Sequence, residues 1–380
     1  MQPKNRLNTN EAKVNTNIGR VRARPFRLLD DYVTLQHGSG GKASAALVEQ
    51  VFFDAYGNEI LGQGGDSGLF AADAVVKAAT ASAHGGARLA MSTDSYVVNP
   101  IEFPGGNIGD LAVNGTINDL AVAGARPLAL TASFILEEGL EIATLRRIVA
   151  SMRTAADAAG VSIVAGDTKV VPKGAGDQVY ITTAGVGVVR GDYAGAATEG
   201  SVYANIEAGD RILVSGPIAD HGMAVMLARG DLALAAPIET DTRAVNGLVE
   251  ALLEAAPGTR WMRDATRGGL GTVANELARG TGFGVVLDDE SIAVREMTRG
   301  ACDMLGIDPL YVANEGTFVA VVPAEQSEAA LSALHAAGAS EARDIGSIED
   351  DPAASVVLVT GFGGTRMVDM LVGDPLPRIC

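Results

Sequence analysis

Along the chain, short runs rich in β-branched residues alternate with longer stretches in which Ala and Leu recur at helical spacing. Arg88–Asp94 (RLAMSTD) reads as a strand running into an acidic turn, and Asn107–Ala125 as a helix with small residues over much of its surface. Thr144–Gly160 is an amphipathic helix stopped by a glycine. Val161–Asp167 and Val179–Val189 read as strands. Arg190–Asp210 is Gly-rich and weakly patterned, as a linker is. A second αβ series follows: strands at Arg211–Pro217, Gly282–Asp288, near Phe318 and near Val357, with helices from Gly222, within Arg263–Gly280, around Cys302 and over Ala324–Ala337. Near the N-terminus, Tyr32–Phe52 reads as a strand, a glycine turn and a helix.

This pattern predicts an α/β chain in two parts. Residues 32–190 form an N-terminal α/β domain and 191–364 a C-terminal one. Residues 1–31 form a flexible basic extension, and 365–380 a mobile tail broken by Gly373, Pro375 and Pro377. Aromatic residues are scarce, at 4%, so the core is built from small aliphatic side chains. The formal charge is −17 and uneven, because residues 1–29 hold seven Lys or Arg against one Glu. A body that acidic argues against nucleic-acid binding, which needs a basic footprint. It leaves room for a phosphate ligand held by backbone amides and a cation. The two cysteines, Cys302 and Cys380, make no disulfide framework. Without a membrane-length apolar run or a signal peptide, a cytoplasmic location with no membrane contact is expected. Cys302, within a helical stretch, is expected to be a buried core thiol. His221 is expected to be structural.

The candidate chemistry lies in turns. His37–Lys42 (HGSGGK) sets Gly38, Gly40 and Gly41 ahead of a helix, where free amides favour an anion. It is no P-loop, because Gln36 and Ala43 occupy positions that motif needs for Gly and Ser or Thr. Gly38, Gly40 and Ala43 fit the spacing of a dinucleotide turn, without an acid ending a second strand. Asp66, Asp94, Asp119, Asp167 and Asp264 all stand beside Gly, Ser or Thr at turn positions. Hard carboxylate oxygens suit Mg²⁺, and Mg²⁺ suits phosphates. The combination predicts a nucleotide-triphosphate site built from several loops. Lys169 and Glu315 are candidates for proton transfer or phosphate contact. Asn114 and Asn118, four apart on one helix, share a face.

The segments HGSGGK, STDSYVV, FPGGNIGDLAVNGTINDLAVAGA, FILEEGL, GDTKVV, DATRGGL, ANEGT and the terminal PLPRIC resemble, in this order, the HypE family of hydrogenase-maturation carbamoyl dehydratases. The resemblance runs from about residue 33 to the C-terminus. It implies a two-domain fold like that of aminoimidazole ribonucleotide synthetase, an N-terminal domain whose strands pair across a homodimer, and ATP with Mg²⁺ in the interdomain cleft. The implied reaction is ATP-dependent dehydration of a carbamoyl group carried on Cys380 to a thiocyanate. A carbamoyltransferase would load the thiol, and an iron-holding scaffold complex would take the cyanide for a [NiFe] centre. By the same resemblance, Asp66, Asp94, Asp119, Asp167 and Asp264 hold the metal and phosphates. Gly38, Ser39, Gly40, Gly41, Lys42, Asn118, Thr168, Thr266, Arg267, Gly268 and Gly269 bind the nucleotide, while Lys169 and Glu315 serve the dehydration with Cys380. A non-catalytic carrier, or another ATP-dependent synthetase or kinase of the superfamily, is the alternative. The basic extension departs from the family pattern.

Overall fold

The computed structural model describes residues 27–63, 67–73, 75–77, 87–193, 195, 201–230, 236–371 and 378–380. The glycine turn leads into α1 (Lys42–Leu47), which continues through a π-type turn, Val48–Phe53. The first half then runs β1 (Leu89–Tyr96), a small ribbon of β2 (Glu102–Phe103) and β3 (Gly106–Asn107), α2 (Ile108–Val122), β4 (Ala125–Glu137), α3 (Ile142–Ala159), β5 (Ser162–Val171) and β6 (Val179–Val189). The second half comprises β7 (Arg211–Val214), α4 (Asp220–Ala228), α5 (Asn246–Ala255), β8 (Trp261–Asp264), α6 (Gly269–Thr281), β9 (Gly284–Asp288), α7 (Glu296–Leu305), β10 (Phe318–Val322), α8 (Ser327–Ala336), β11 (Arg343–Glu349), β12 (Val356–Val359) and β13 (Thr365–Met367).

Two sheets result. The first has four strands in the order β1-β6-β4-β5, and the second seven in the order β13-β12-β9-β11-β7-β10-β8. Helix α2 packs on the first sheet and also reaches β8 of the second. It is buried almost all round, which its run of Gly, Ala, Asn and Thr permits by keeping neighbours close. Gly115 is required there: a Cβ would overlap the hydroxyl of Tyr96. Among the described residues, nothing covers the other face of the first sheet, and Met91 and Ile135 are exposed on it.

The stretch Tyr32–Gln36 is not a strand. Tyr32 makes one bridge to Glu141, and Leu35–Gly38 turns into a 3₁₀ helix. Local hydrogen bonds win there, because the Thr34 amide donates to His37 Nδ1 at 2.9 Å. Residues Thr365–Met367, at the start of the expected tail, form β13 on the edge of the second sheet. Pro375 and Pro377 lie outside the described residues. Cys302 is wholly buried, as expected.

Candidate active site

A cavity of about 860 Å³ opens between the two sheets, and three elements bring acids to it. Asp94 comes from β1, Asp119 from the last turn of α2 and Asp264 from the end of β8. Glu315 joins them from the loop before β10 and is 3% exposed. Ser92 Oγ donates to Asp119, and the Tyr96 hydroxyl donates to Asp94 at 3.2 Å. After Asp264 the chain passes Thr266 and Arg267, which line the cavity, to Gly268 and Gly269. Both glycines have positive φ, +73° and +58°. A Cβ on Gly269 would also run into the Leu310 and Val312 carbonyls, so this turn into α6 admits only glycine.

The electrostatics follow from crowding acids in a partly dry place. Burial, then the neighbouring Asp119, pushes the Asp264 carboxyl up to about 7. Burial, and to a lesser degree Asp94, pushes Asp119 up to about 6. Glu315 is held well above the usual carboxylate range by burial and then by Asp264 and Asp241. Buried Tyr96 is likewise raised. Among the described residues, no three His, Cys, Asp or Glu side chains stand as a ready-made metal set. Asp94, Asp119 and Asp264 nevertheless fit Mg²⁺ chemically: all offer oxygen donors, and their mutual repulsion is what a divalent cation would offset. Arg88, Arg263, Arg267 and Arg378 also line the cavity, so cationic groups share it with the acids.

The expected site residues do not all meet in one chain. Asp167 and Lys169 lie on β5, at the far edge of the first sheet from β1. Both are exposed and paired to each other at 2.5 Å, and the lysine holds the Asp167 carboxyl below its usual range. The glycine turn sits beside them: a Cβ on Gly38 would strike Val170 of β5. Gly40 there has a φ of +78°, and its amide donates to Ser44 Oγ at 2.9 Å. Gly38, Ser39, Gly40, Gly41, Lys42 and Thr168 therefore belong to this second group, away from the cavity. Asp66 lies outside the described residues.

Asn118, expected on the nucleotide, is 2% exposed and hydrogen-bonded elsewhere. Its Nδ2 donates to the Arg243 and Glu315 carbonyls, each at 3.0 Å, and its Oδ1 accepts from the Val245 amide at 2.8 Å. It fixes the Glu315 loop to α2. Asn114 faces the same segment, with Nδ2 3.5 Å from Thr242 Oγ1. Asp241 was not foreseen: it accepts from the Glu315 and Gly316 amides at 2.9 and 3.1 Å. The aromatic wall was also missed. The single tryptophan, Trp261, and four of the seven tyrosines, Tyr96, Tyr193, Tyr203 and Tyr311, line the cavity. Their scarcity in the sequence was the available signal.

The C-terminal residues Arg378–Cys380 line the same cavity. Their main chain lies along Val97–Asn99, just past β1: the Val97 amide donates to the Cys380 oxygen at 3.2 Å and the Asn99 amide to the Arg378 oxygen at 3.4 Å. Arg378 pairs with Asp177 at 2.7 Å and donates to the Val97 carbonyl.

Residues 71–189 match the AIR synthase related protein N-terminal domain, and residues 207–359 match the AIR synthase related protein C-terminal domain. Carbamoyl dehydratase HypE of Cupriavidus necator is 48% identical over 359 residues, spanning 94% of this chain and 97% of that protein. The chain belongs to the HypE family. Its fold is that of the HypE crystallised in complex with ATP, at 42% identity and a TM-score of 0.81 over 91% of this chain and 99% of that one. HypE from a HypE–HypF complex aligns at 41% identity and a TM-score of 0.70, covering 86% and 100%. The two-part α/β architecture and the enzyme class expected from the sequence are those of the HypE family. Among the described residues, no helix is long and apolar enough to cross a membrane.

Proposed function

We propose that this HypE-family chain dehydrates an S-carbamoyl group on its own Cys380 to a thiocyanate, driven by ATP, and so supplies cyanide to the iron of a [NiFe] hydrogenase. The observation that carries this reading is the seat of Cys380. The terminal thiol lines the same cavity as Asp94, Asp119, Asp264 and Glu315. The cavity has the size of a ligand pocket, and its arginines and acids suit a nucleotide triphosphate with its cation. The HypE crystallised with ATP supports that assignment.

The chemistry requires an amide oxygen to leave. Transfer of the γ-phosphoryl to the carbamoyl oxygen, with loss of one N–H proton, gives an O-phosphorylated intermediate. Loss of the second N–H proton expels phosphate and leaves S–C≡N. Mg²⁺ on Asp94, Asp119 and Asp264 would steady the phosphate charge and lower the pKa of Glu315. Arg263 and Arg267, which line the cavity, would offset the phosphoryl charge, and Glu315 would accept the second proton. Asp167, Lys169 and the glycine turn stand apart from this cleft within one chain. In this reading they complete it in a homodimer, from the partner copy. The carbamoyl donor is a carbamoyltransferase, a role that the crystallised HypE–HypF complex supports for HypF, and an iron-holding scaffold takes the cyanide. The reading places the protein in the cytoplasm.

The test is the mass of the C-terminal peptide. Incubation with a carbamoyltransferase and carbamoyl phosphate should add one carbamoyl group to Cys380, and Mg-ATP should then remove one water. A carbamoyl group that survives Mg-ATP, with the partner proved active, would refute the dehydratase reading.

A further inference from the structure

His221 is wholly buried on α4, and neither ring nitrogen is used by the chemistry above. Its Nε2 lies 3.0 Å from the Ile379 carbonyl oxygen, and its Nδ1 lies 2.7 Å from Thr240 Oγ1. The partners fix the protons. A carbonyl only accepts, so Nε2 carries the hydrogen. Burial holds the ring below its usual pKa, so Nδ1 is the bare acceptor and takes the Thr240 hydroxyl hydrogen. Thr240 Oγ1 in turn accepts from the Thr242 amide at 3.1 Å. The chain of donors thus runs one way, from the Thr242 amide through Thr240 and His221 to the tail.

Other contacts converge on the terminal residues Arg378–Cys380. Arg229 donates to the Arg378 oxygen at 2.6 Å and to the Asn99 oxygen at 2.7 Å, bridging the tail and the segment it lies on. Ile379 is 4% exposed and joins the apolar cluster that contains Val98, Phe103 and Met223. Arg378 takes a φ of +56°, a conformation a non-glycine residue holds only when its surroundings fix it. The penultimate residue is therefore the anchor, and the terminal thiol beyond it is aimed by that anchor.

We propose that His221, its tautomer set by Thr240, is the positioning residue that latches the C-terminal tail and so presents Cys380 to the cleft. The latch is local to the tail and is separate from the reacting groups. Its catalytic purpose rests on the carrier role of Cys380, but its existence does not.

The test reads the seat directly, by the rate at which a thiol reagent labels Cys380 in the full-length protein. Wholly buried Cys302 serves as the internal gauge of general opening. Removing the donor in His221→Leu should speed Cys380 labelling about tenfold, the effect of one buried hydrogen bond. His221→Gln, which keeps a donor, should restore nearly the original rate. Thr240→Val and Ile379→Ala should each raise the rate several-fold. They keep the proposal testable if His221→Leu does not fold. Cys302 should stay unreactive throughout. Unchanged Cys380 labelling in Thr240→Val or folded His221→Leu, or Cys302 labelling that rises in parallel, would overturn the latch. Failure of the wild-type thiol to accept a carbamoyl group would instead refute the carrier role and leave the labelling result standing.

Discussion

Asp94 and Asp167 stand nearly level on one sheet, yet at opposite edges and on opposite faces. Asp94 pairs with Thr183, which pairs with Ala132, and both of those residues are buried on the helix side. Asp167 pairs with Ser133, on the uncovered side. Three strand spacings, about 14 Å, separate the two acids across the sheet. One chain cannot turn both onto the same phosphate. If a second copy completes the site, two inactive variants should rescue each other. Mixed and re-equilibrated Asp94→Asn and Asp167→Asn chains should recover about a quarter of wild-type activity, since half the dimers are mixed and each mixed dimer holds one intact site. Activity that stays at zero, with mixed dimers shown by mass, would place the site within a single copy.

Glu315 enters the cavity from the loop before β10, and Gln in its place keeps the volume but cannot accept a proton. Glu315→Gln should bind Mg-ATP with wild-type affinity and lose thiocyanate formation by about 10²-fold or more, the usual scale for a general base. Titration calorimetry and the C-terminal peptide mass check the two halves. Normal turnover would remove Glu315 from the chemistry.

The raised acids also make a pH prediction. Asp264 titrates near 7 and Asp119 near 6 in the folded chain, against 3.8 for an ordinary aspartate. Between about pH 4 and 7 the folded state therefore holds more protons than the unfolded one, and these groups lower stability as pH rises through that window. Raising one carboxyl from 3.8 to about 7 is worth at most about 4 kcal/mol by pH 8. Without Mg²⁺, Asp264→Asn should be more stable than wild type at pH 8, and the gain should vanish toward pH 4. Saturating Mg²⁺ should erase the wild-type decline. Thermal melting across this range checks it, and identical slopes for the two proteins would show that Asp264 is not raised.

Much of the candidate site was legible because its acids sit in short local motifs. STDS, IND and DATRGG each set an acid beside small or polar residues, and the fold brings those three together, although Asp94 stands within β1 and Asp119 within α2 rather than at the expected turns. Distance between elements was not legible. The GDTK motif looks equivalent to the others in sequence, and only the strand order β1-β6-β4-β5 separates it from them. Strand β4 was missed because Pro127 argues against a central strand. The sheet tolerates it because Pro127 lies before pairing with β5 begins at Ala129, and where the register with β6 shifts. The partners of Asn118 were not legible for a related reason. A buried amide on a small-residue helix looks the same whether it meets a ligand or a loop of its own chain.

Asp241 gives the last prediction. It lies outside the acid-lined cavity, in a second cavity of about 620 Å³, and grips the Glu315 loop from behind. One oxygen accepts from the Glu315 amide, and the other accepts from the Gly316 amide and the Thr317 hydroxyl at 3.1 Å. Asparagine offers a single acceptor oxygen, so Asp241→Asn must leave one side of this clamp facing a donor. The unmet amide should cost about 1 to 3 kcal/mol of stability. A displaced Glu315 should lower kcat roughly tenfold to a hundredfold, because a base about 1 Å out of place loses that much. ATP affinity should hold, since Asp241 does not line the acid-lined cavity. The deciding measurement is the double variant. Combined with Glu315→Gln, Asp241→Asn should slow turnover no further, because the base it positions is already gone. A full additional loss in the double variant would mean that Asp241 acts on the reaction by some route other than Glu315.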